Sequence, residues 1–230
     1  MMFQLARQFA AAGETVLTTT TTKIFVPDTK MSSFVVVAPS PADLLAQAAR
    51  CPSGVRHMTA GSEVLSSLNK LVGYHPQDIE ALHASRYFKW IIVEADGAAR
   101  KPLKVPAAHE PVIPASTDVL IAVVGLDAIG AALTEKSVFR SDLYARMTGL
   151  RPGMPVDTNS VATALTHADG IMKGCPPAAR RWIFLNKADT PRRRGVARSV
   201  ATLLQMHRMP GLEKIIIGCA QPQLVLQEIR

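Results

Sequence analysis

Hydrophobic and polar positions follow two alternating periods along this chain of 230 residues. Short apolar runs rich in β-branched residues predict strands at 15–20, 33–38, 55–59, 90–94, 118–124, 182–185 and 214–217. Between them, apolar positions that recur every three to four residues predict helices at 1–12, 41–49, 61–71, 77–85, 140–148, 160–167 and 195–206. This alternation indicates an α/β protein with three layers, in which helices cover both faces of a mostly parallel sheet.

The composition is that of one globular domain over residues 1–230. Apolar residues make up 48% of the chain, and neither an internal repeat nor a linker divides it. Cys51, Cys175 and Cys219 are far apart and form no C-x-x-C pair, so we expect a reduced, cytoplasmic protein. The first residues lack the features of a signal peptide, and the longest apolar run, 119–124, is too short to cross a membrane.

The tetrapeptide Asn186-Lys187-Ala188-Asp189 directly follows a predicted strand and suggests how a base could be recognised. The carboxylate of Asp189 can accept both the ring N–H and the exocyclic amine of guanine, a pair of donors that adenine lacks. Asn186 would brace the loop, and the aliphatic stem of Lys187 would cover the flat face of the base. The alternative is a strand followed by a polar turn, in which the aspartate caps the next helix.

Two further strand ends carry groups that suit a nucleotide triphosphate. A run of five threonines precedes Lys23, and its hydroxyls could bind Mg²⁺ or a γ-phosphate while the lysine neutralises charge. The run WIIVEADG delivers Glu94 and Asp96, like the acidic strand end that holds Mg²⁺ in phosphate-loop enzymes. We expect Thr21, Thr22, Lys23, Glu94 and Asp96 to be catalytic, with Thr22, Glu94 and Asp96 as ligands of Mg²⁺ bound with GTP or ATP. The alternatives are threonines that merely suit a strand and an Asp-Gly turn.

The segment 98–114 is predicted to be a long loop without secondary structure, restricted by four prolines. Long loops inside compact domains usually have a function, and this one follows the acidic strand end. Arg100, Lys101 and Lys104 could bind an anionic substrate or phosphate, whereas His109 and Glu110 could transfer a proton. The alternative is a solvated connector that its prolines stiffen.

Positive charge is concentrated near the C-terminal end. The chain has 26 basic and 18 acidic residues, and the stretch 173–208 holds nine Lys or Arg against the single acid Asp189. A solvated helix face around 192–198 explains this pattern without any binding function. The alternative is a surface that binds an anionic ligand or an acidic partner protein. Nucleic acid is a third alternative, but no aromatic residue lies among the arginines of 192–198, so single-strand binding by base stacking is poorly supported and we do not expect nucleic acid as partner.

A nucleotide triphosphatase of this type also needs a Gly-rich loop that ends in Gly-Lys-Ser or Gly-Lys-Thr, and the chain has none. It opens on a predicted helix, Gly13 and a strand, where a phosphate-loop protein would show strand, loop, helix and strand. We therefore expect that the start codon has been placed too far downstream and that the first strand and its loop are missing from this sequence.

Five motifs in order resemble the YqeC family, whose members are described as accessory proteins of selenium-dependent hydroxylases. They are TTTTK after the helix MFQLARQFAAAG, then VEADGAARKPLKVPAAHEPVIP, VVGLDAIG, GIMKGCPPAARR and FLNKADTP. Relatives begin with a strand and a loop of the form GAGGKT, which this sequence lacks. A second departure is Phe139-Arg140, where we expect His-Arg in relatives.

The resemblance implies a phosphate-loop NTPase fold whose first strand and phosphate loop are missing here. It also implies a role in maturing a selenium-dependent molybdenum hydroxylase or its cofactor. The leading hypothesis is therefore that the intact protein, with the missing phosphate loop, is a GTP-preferring, Mg²⁺-dependent hydrolase. It would act with such a hydroxylase or with its cofactor-handling proteins, and not at a membrane. The alternatives are a small-molecule kinase of the same fold and a non-hydrolysing adaptor or chaperone.

Overall fold

The computed structural model describes all 230 residues, and they form two compact units. We call Met1–Gly97 with Val112–Ser116 the N-terminal unit, and Ala98–Pro111 with Thr117–Arg230 the C-terminal unit. Each unit is α/β with a mostly parallel main sheet, as the sequence predicts at the level of fold class. The expectation of one domain over residues 1–230 stays a prediction.

The N-terminal unit contains three helices and seven strands. The helices are α1 (Met2–Ala11), α2 (Pro41–Ala49) and α3 (Pro76–Ala84); the strands are β1 (Val16–Thr20), β2 (Lys23–Phe25), β3 (Val35–Val37), β4 (His57–Gly61), β5 (Glu63–Leu65), β6 (Lys70–Val72) and β7 (Trp90–Glu94). The main sheet has the order β3-β4-β1-β7 with every pair parallel. A small antiparallel sheet has the order β2-β6-β5.

Helices cover both faces of this main sheet, so the unit has three layers. On one face α2 and α3 pack against Leu17 and Met58 in a buried apolar cluster. On the other face lies α1, whose Phe9 ring stacks on Trp90 with ring centroids 4.4 Å apart. Since side chains along a strand point to alternate faces, Leu17 meets α2 and α3 while its neighbour Thr18 faces α1.

The helix predicted at 61–71 is wrong. This segment forms β5, a 3-10 turn at Ser66–Leu68 and β6, with Val64 paired to Leu71. Its apolar residues match the helical period, but Leu68 is 57% exposed while Leu71 is buried. Asn69 adopts a left-handed conformation with φ 48°, which reverses the chain and lets two short strands pair. Strand pairing therefore overrides the local helical pattern.

The C-terminal unit contains three helices and six strands. The helices are α4 (Ser141–Thr148), α5 (Thr158–Thr166) and α6 (Pro191–Met206); the strands are β8 (Leu103–Lys104), β9 (Val119–Gly125), β10 (Val138–Phe139), β11 (Arg180–Asn186), β12 (Leu212–Cys219) and β13 (Val225–Ile229). The main sheet has the order β13-β12-β11-β9, with β13 antiparallel to its neighbour. Strands β8 and β10 form a separate parallel pair, so the segment 98–114 is not entirely without secondary structure, contrary to expectation.

Helices α5 and α6 bury their apolar residues against one face of this sheet, around Val124, Ile183 and Leu185. Local sequence fixes where α6 begins: Thr190 accepts a hydrogen bond from the backbone N–H of Arg193, and Pro191 occupies the first helical position. The helix therefore starts four residues before the predicted 195. None of the six helices combines the length and hydrophobicity that crossing a membrane requires.

Val112–Ser116 interrupts the C-terminal unit in sequence but belongs to the N-terminal one. Three hydrogen bonds hold it there. The N–H of Val112 donates to the carbonyl of Ala95 (3.1 Å), the hydroxyl of Thr21 donates to the carbonyl of Val112 (2.6 Å), and the N–H of Ala115 donates to Glu80 (3.1 Å). The chain thus changes units after residues 97, 111 and 116.

Candidate functional site

The tetrapeptide 186–189 lies at the carboxyl end of β11, and backbone hydrogen bonds hold it in place. The Oδ1 atom of Asn186 accepts the N–H groups of Lys187 (2.8 Å) and Ala220 (2.9 Å). The N–H of Ala188, which is buried, donates to the carbonyl of Gly218 (3.1 Å). Asn186 therefore braces the loop against the residues that end and follow β12.

Lys187 is held on both its backbone and its side chain. Its backbone is left-handed with φ 66°, a conformation that residues other than glycine adopt mainly where the surroundings enforce it. Its Nζ lies 2.5 Å from Oδ2 of Asp127, in the 3-10 turn that follows β9. The other oxygen of Asp127, Oδ1, is buried without a hydrogen-bond partner. Sequence reasoning missed Asp127, although it follows a predicted strand inside the motif VVGLDAIG.

Asp189 places its carboxylate in solvent. Its side chain is 58% exposed, and Oδ1 accepts a hydrogen bond from Nη1 of Arg193 at 2.7 Å. This bond is the main reason why the pKa of Asp189 lies below its ordinary value. The aspartate does not cap α6, because Thr190 does. The alternative in which Asp189 is the helix cap is therefore wrong.

The first part of the threonine run is bonded to neighbouring strands. Thr18 Oγ1 lies 2.7 Å from Thr59 Oγ1 and 3.0 Å from the ring Nε2 of His57, all buried. Thr19 donates to the carbonyl of Ala60 at 2.8 Å. The hydroxyls of both threonines are therefore satisfied by residues of β4, as expected for buried polar groups of a strand.

The end of the run meets the acidic strand end. Thr20 donates to the backbone carbonyl of Glu94 (2.7 Å), and its hydroxyl lies 2.9 Å from that of Thr22. The N–H of Thr21 also donates to the Glu94 carbonyl (3.2 Å), while exposed Lys23 begins β2. The structure therefore brings Thr20 to Thr22 and Glu94 together at the carboxyl ends of β1 and β7.

Asp96 and Gly97 follow β7 after Ala95, and a Cβ on Gly97 would lie 3.7 Å from Oε1 of Glu94. Hydroxyl and carboxylate oxygens are the ligands that Mg²⁺ prefers, so the donor chemistry of Thr22, Glu94 and Asp96 fits that ion. The set has two carboxylates; a group of three or more His, Cys, Asp or Glu side chains able to hold a metal is not found. Their assignment as Mg²⁺ ligands stays a prediction.

In the C-terminal unit, Glu110 joins two cations. Its carboxylate lies 2.8 Å from Nζ of Lys104 and accepts two hydrogen bonds from the guanidinium of Arg140. Burial alone would raise the pKa of Glu110, but the bonds from Arg140 and Lys104 lower it to about 2. Glu110 is therefore ionised at neutral pH and suits a holding role better than proton transfer. Sequence reasoning missed Arg140, which lies 30 residues away.

His109 is presented on a fixed turn next to this ion-pair cluster. The N–H of Glu110 donates to the carbonyl of Ala107 (3.0 Å), and Nζ of Lys173 donates to the carbonyls of Ala107 (2.6 Å) and Ala108 (3.2 Å). The side chain of His109 is 77% exposed. His109 and Glu110 were both expected to transfer a proton. Of these two, His109 has the side chain that is exposed to solvent.

The basic residues at the start of the loop are also exposed or half-buried. Arg100 has a left-handed backbone with φ 62°, and the N–H of Lys101 closes a turn to the carbonyl of Ala98 at 2.8 Å. Both residues belong to the same unit as Lys104, His109 and Glu110. Their assignment as substrate or phosphate ligands stays a prediction.

Fold and candidate residues together define an α/β protein with mostly parallel sheets, whose conspicuous polar groups collect at the carboxyl ends of strands. Comparison with known proteins gives its family. The YqeC protein family model matches residues 1–142, and the chain belongs to that family. The protein named "Uncharacterized protein YqeC" of Escherichia coli (strain K12) is 34% identical over 188 residues, which cover 81% of this chain and 71% of that protein. No solved structure matches the chain.

The resemblance inferred from the five motifs is therefore confirmed. The matched range 1–142 contains the threonine run, Glu94, Asp96 and the loop up to Glu110, and it ends before the tetrapeptide 186–189. Without a structural neighbour, the phosphate-loop NTPase type of the fold stays a prediction, whereas the α/β class is observed.

Proposed function

We propose that this protein binds a guanine nucleotide and serves as an accessory factor for a selenium-dependent molybdenum hydroxylase or its cofactor. The observation that carries the nucleotide part is the braced loop 186–189. It holds the ionised, solvent-exposed carboxylate of Asp189 at the carboxyl end of a parallel strand. Ligands of parallel α/β sheets bind at that end of the strands.

The bracing supports a binding role because it fixes the residues that immediately precede Asp189. Asn186 accepts two N–H groups, and Asp127 holds the ammonium of Lys187. A preorganised carboxylate loses little conformational entropy when a ligand binds, so a pair of N–H donors on a planar base is well matched to it. The aliphatic stem of Lys187 would cover the base.

Within the N-terminal unit, and on the contacts of that unit alone, we propose that Thr22, Glu94 and Asp96 hold Mg²⁺ beside phosphate and that Thr21 and Lys23 contact a γ-phosphate. Bound Mg²⁺ would neutralise charge on the phosphates during transfer. Glu94 and the threonines gather at neighbouring strand ends, which supports this assignment. Phosphoryl transfer depends mostly on positioning and charge neutralisation, so none of these residues needs to act as a covalent catalyst.

Membership of the YqeC family supports the accessory role, through the resemblance that its motifs carry. Arg100 and Lys101 would then attract an anionic substrate, whereas Lys104, which was also expected to do so, is buried and paired with Glu110. One observation favours a small-molecule kinase as second candidate: His109 is exposed on a turn that Lys173 and Glu110 fix. Such a histidine could accept the proton of an acceptor hydroxyl.

Nucleoside binding to the labelled chain tests the proposal. We expect guanosine at millimolar concentration to shift the backbone amide resonances of residues 186–190 and 220 in nuclear magnetic resonance spectra, and adenosine to leave them in place. Asp189→Asn should weaken guanosine binding roughly tenfold, because an amide cannot accept both donors. Xanthosine, which carries a carbonyl in place of the amine, should then bind that variant better than guanosine does. Equal shifts with adenosine and guanosine would contradict the proposal.

A further inference from the structure

We infer that Arg193 is an intramolecular competitor for guanine at Asp189 and thereby sets the affinity of the base site. This inference rests on the proposed function, since it concerns the same carboxylate. The guanidinium donates from Nη1 to Oδ1 of Asp189 at 2.7 Å. A guanine that uses both oxygens of the carboxylate needs Arg193 to release Oδ1.

The position of Arg193 is set by helix geometry. It lies in the first turn of α6, four residues after Asp189, which directly precedes the helix cap Thr190. Its own N–H is bonded to Oγ1 of Thr190 at 3.2 Å, so its backbone is fixed where the helix begins. The side chain therefore reaches the carboxylate without any rearrangement of the chain.

Arg193 and guanine offer the same chemistry to Asp189. A guanidinium presents N–H donors in a planar fork, and the edge of guanine presents a ring N–H beside an amine on one carbon. A carboxylate that accepts one of these groups is shaped to accept the other. Arg193 therefore presents the same kind of donors to the Asp189 carboxylate as guanine does. When Arg193 is bound to the carboxylate, guanine binding is opposed, and the reverse also holds.

Because the side chains of Asp189 and Arg193 are partly exposed to solvent, Arg193 competes only weakly with guanine. The side chains of Asp189 and Arg193 are 58% and 35% exposed, and ion pairs in solvent contribute little to stability. A contact of this strength cannot close the site, but it lowers the affinity of every guanine ligand by a similar factor. A buried pair would instead exclude the base.

A second arginine on the same helix provides a matched control. Arg198 forms an ion pair with Glu228 on β13, at 2.5 Å from Nη2 to Oε1, and it does not contact the tetrapeptide loop. Replacing either arginine by methionine removes one positive charge from α6 and keeps an unbranched side chain. A difference between the two variants therefore reports the contact with Asp189 and not the net charge.

The test measures guanosine affinity by amide resonance shifts in the wild-type chain, Arg193→Met and Arg198→Met. We expect the dissociation constant of guanosine to fall about two- to fivefold in Arg193→Met and to stay unchanged in Arg198→Met. Arg193→Lys, whose ammonium is a single point charge, should lie between wild type and the methionine variant. The pKa of the Asp189 carboxyl, followed by carbon resonances, should rise in Arg193→Met because its main hydrogen-bond donor is gone.

The possible results separate this inference from the proposed function. Unchanged or weaker guanosine binding in Arg193→Met, with shifts still confined to 186–190 and 220, would overturn the role of Arg193 alone. An equal gain for adenosine would also overturn it, since that would be a general effect of charge. Absence of guanosine binding in the wild-type chain and in every variant would overturn both.

Discussion

The conformation of the loop Ala98–Pro111 depends on the ionised carboxylate of Glu110. Its carboxylate is 16% exposed and is shared by Lys104, which is 6% exposed, and by Arg140. Charges that have lost this much water need close partners, and removing one partner leaves the other in an unfavourable environment. The conformation of the turn that carries His109 is therefore tied to the ionisation of its neighbour.

Glu110→Gln should lower the free energy of unfolding at pH 7 by about 2–4 kcal/mol, because the amide keeps the shape but loses both ion pairs. The folded pKa of about 2 lies below the ordinary 4.5. The stabilisation is therefore complete above pH 4.5 and disappears as pH falls towards 2. Denaturant titrations at pH 7 and pH 3 should show a smaller difference between variant and wild type at the lower pH.

The matched control for this experiment is Glu213→Gln. Glu213 is 40% exposed and lies 3.8 Å from Arg180, so its loss should change the stability by less than about 1 kcal/mol. A difference between Glu110→Gln and wild type that does not depend on pH would show that the ion pairs are not its cause.

Among the secondary-structure elements, those with strong local signals could be predicted and those that depend on distant partners could not. Strand 90–94 and helix 41–49 have the predicted bounds, since one is a continuous apolar run and the other has Ser40 as cap followed by proline. The two-residue strands β8 and β10 were missed because Leu103 pairs with Val138, far away in sequence. The hairpin of β5 and β6 is local, but its apolar residues match the helical period and conceal the reversal at Asn69.

The same limit applies to the candidate site. The positions of Asn186, Lys187 and Asp189 at a strand end follow from the sequence, because a short apolar run precedes them. Their partners Asp127 and Ala220 come from other strand ends, 60 and 34 residues away, so no local pattern could identify them. Only the topology of the parallel sheet brings these residues together.

Two glycines should respond oppositely to alanine. Gly195 lies inside α6 with open space around it, so Gly195→Ala should raise the free energy of unfolding by about 0.5–1 kcal/mol through higher helix propensity. Gly73 follows β6, and a Cβ there would lie 1.7 Å from the backbone oxygen of Thr20. Gly73→Ala should therefore lower the free energy of unfolding by about 1–3 kcal/mol. Urea titrations of both variants measure these changes, and stabilisation by Gly73→Ala would contradict the close approach of the two segments.

At the scale of the molecule, each unit has a buried apolar cluster of its own. The larger one in the C-terminal unit joins α4, α5 and α6 to the sheet. A polar contact lies inside it: the hydroxyl of Tyr144 donates to Oγ of Ser160 at 2.9 Å. Burial raises the pKa of that tyrosine, so the phenol stays neutral.

Leu165→Ala should lower the free energy of unfolding by about 2–5 kcal/mol, since Leu165 is fully buried in this cluster. Hydrogen exchange measured by mass spectrometry should show faster exchange in peptides from α5 and α6. Leu68→Ala is the control, because Leu68 is 57% exposed and its loss should change little. Unaltered protection of α5 in the Leu165 variant would contradict the packing described for this helix.

The interleaving of the two units in sequence affects how the protein can be made and dissected. Because Val112–Ser116 is bonded to Thr21, Ala95 and Glu80, a ribosome must synthesise the chain as far as residue 116 before the N-terminal unit has all of its residues. By then the first segment of the other unit, Ala98–Pro111, has already been synthesised. A gene fragment that ends at codon 97 would encode a product without three of its native hydrogen bonds, and no single cut in the gene separates the two units.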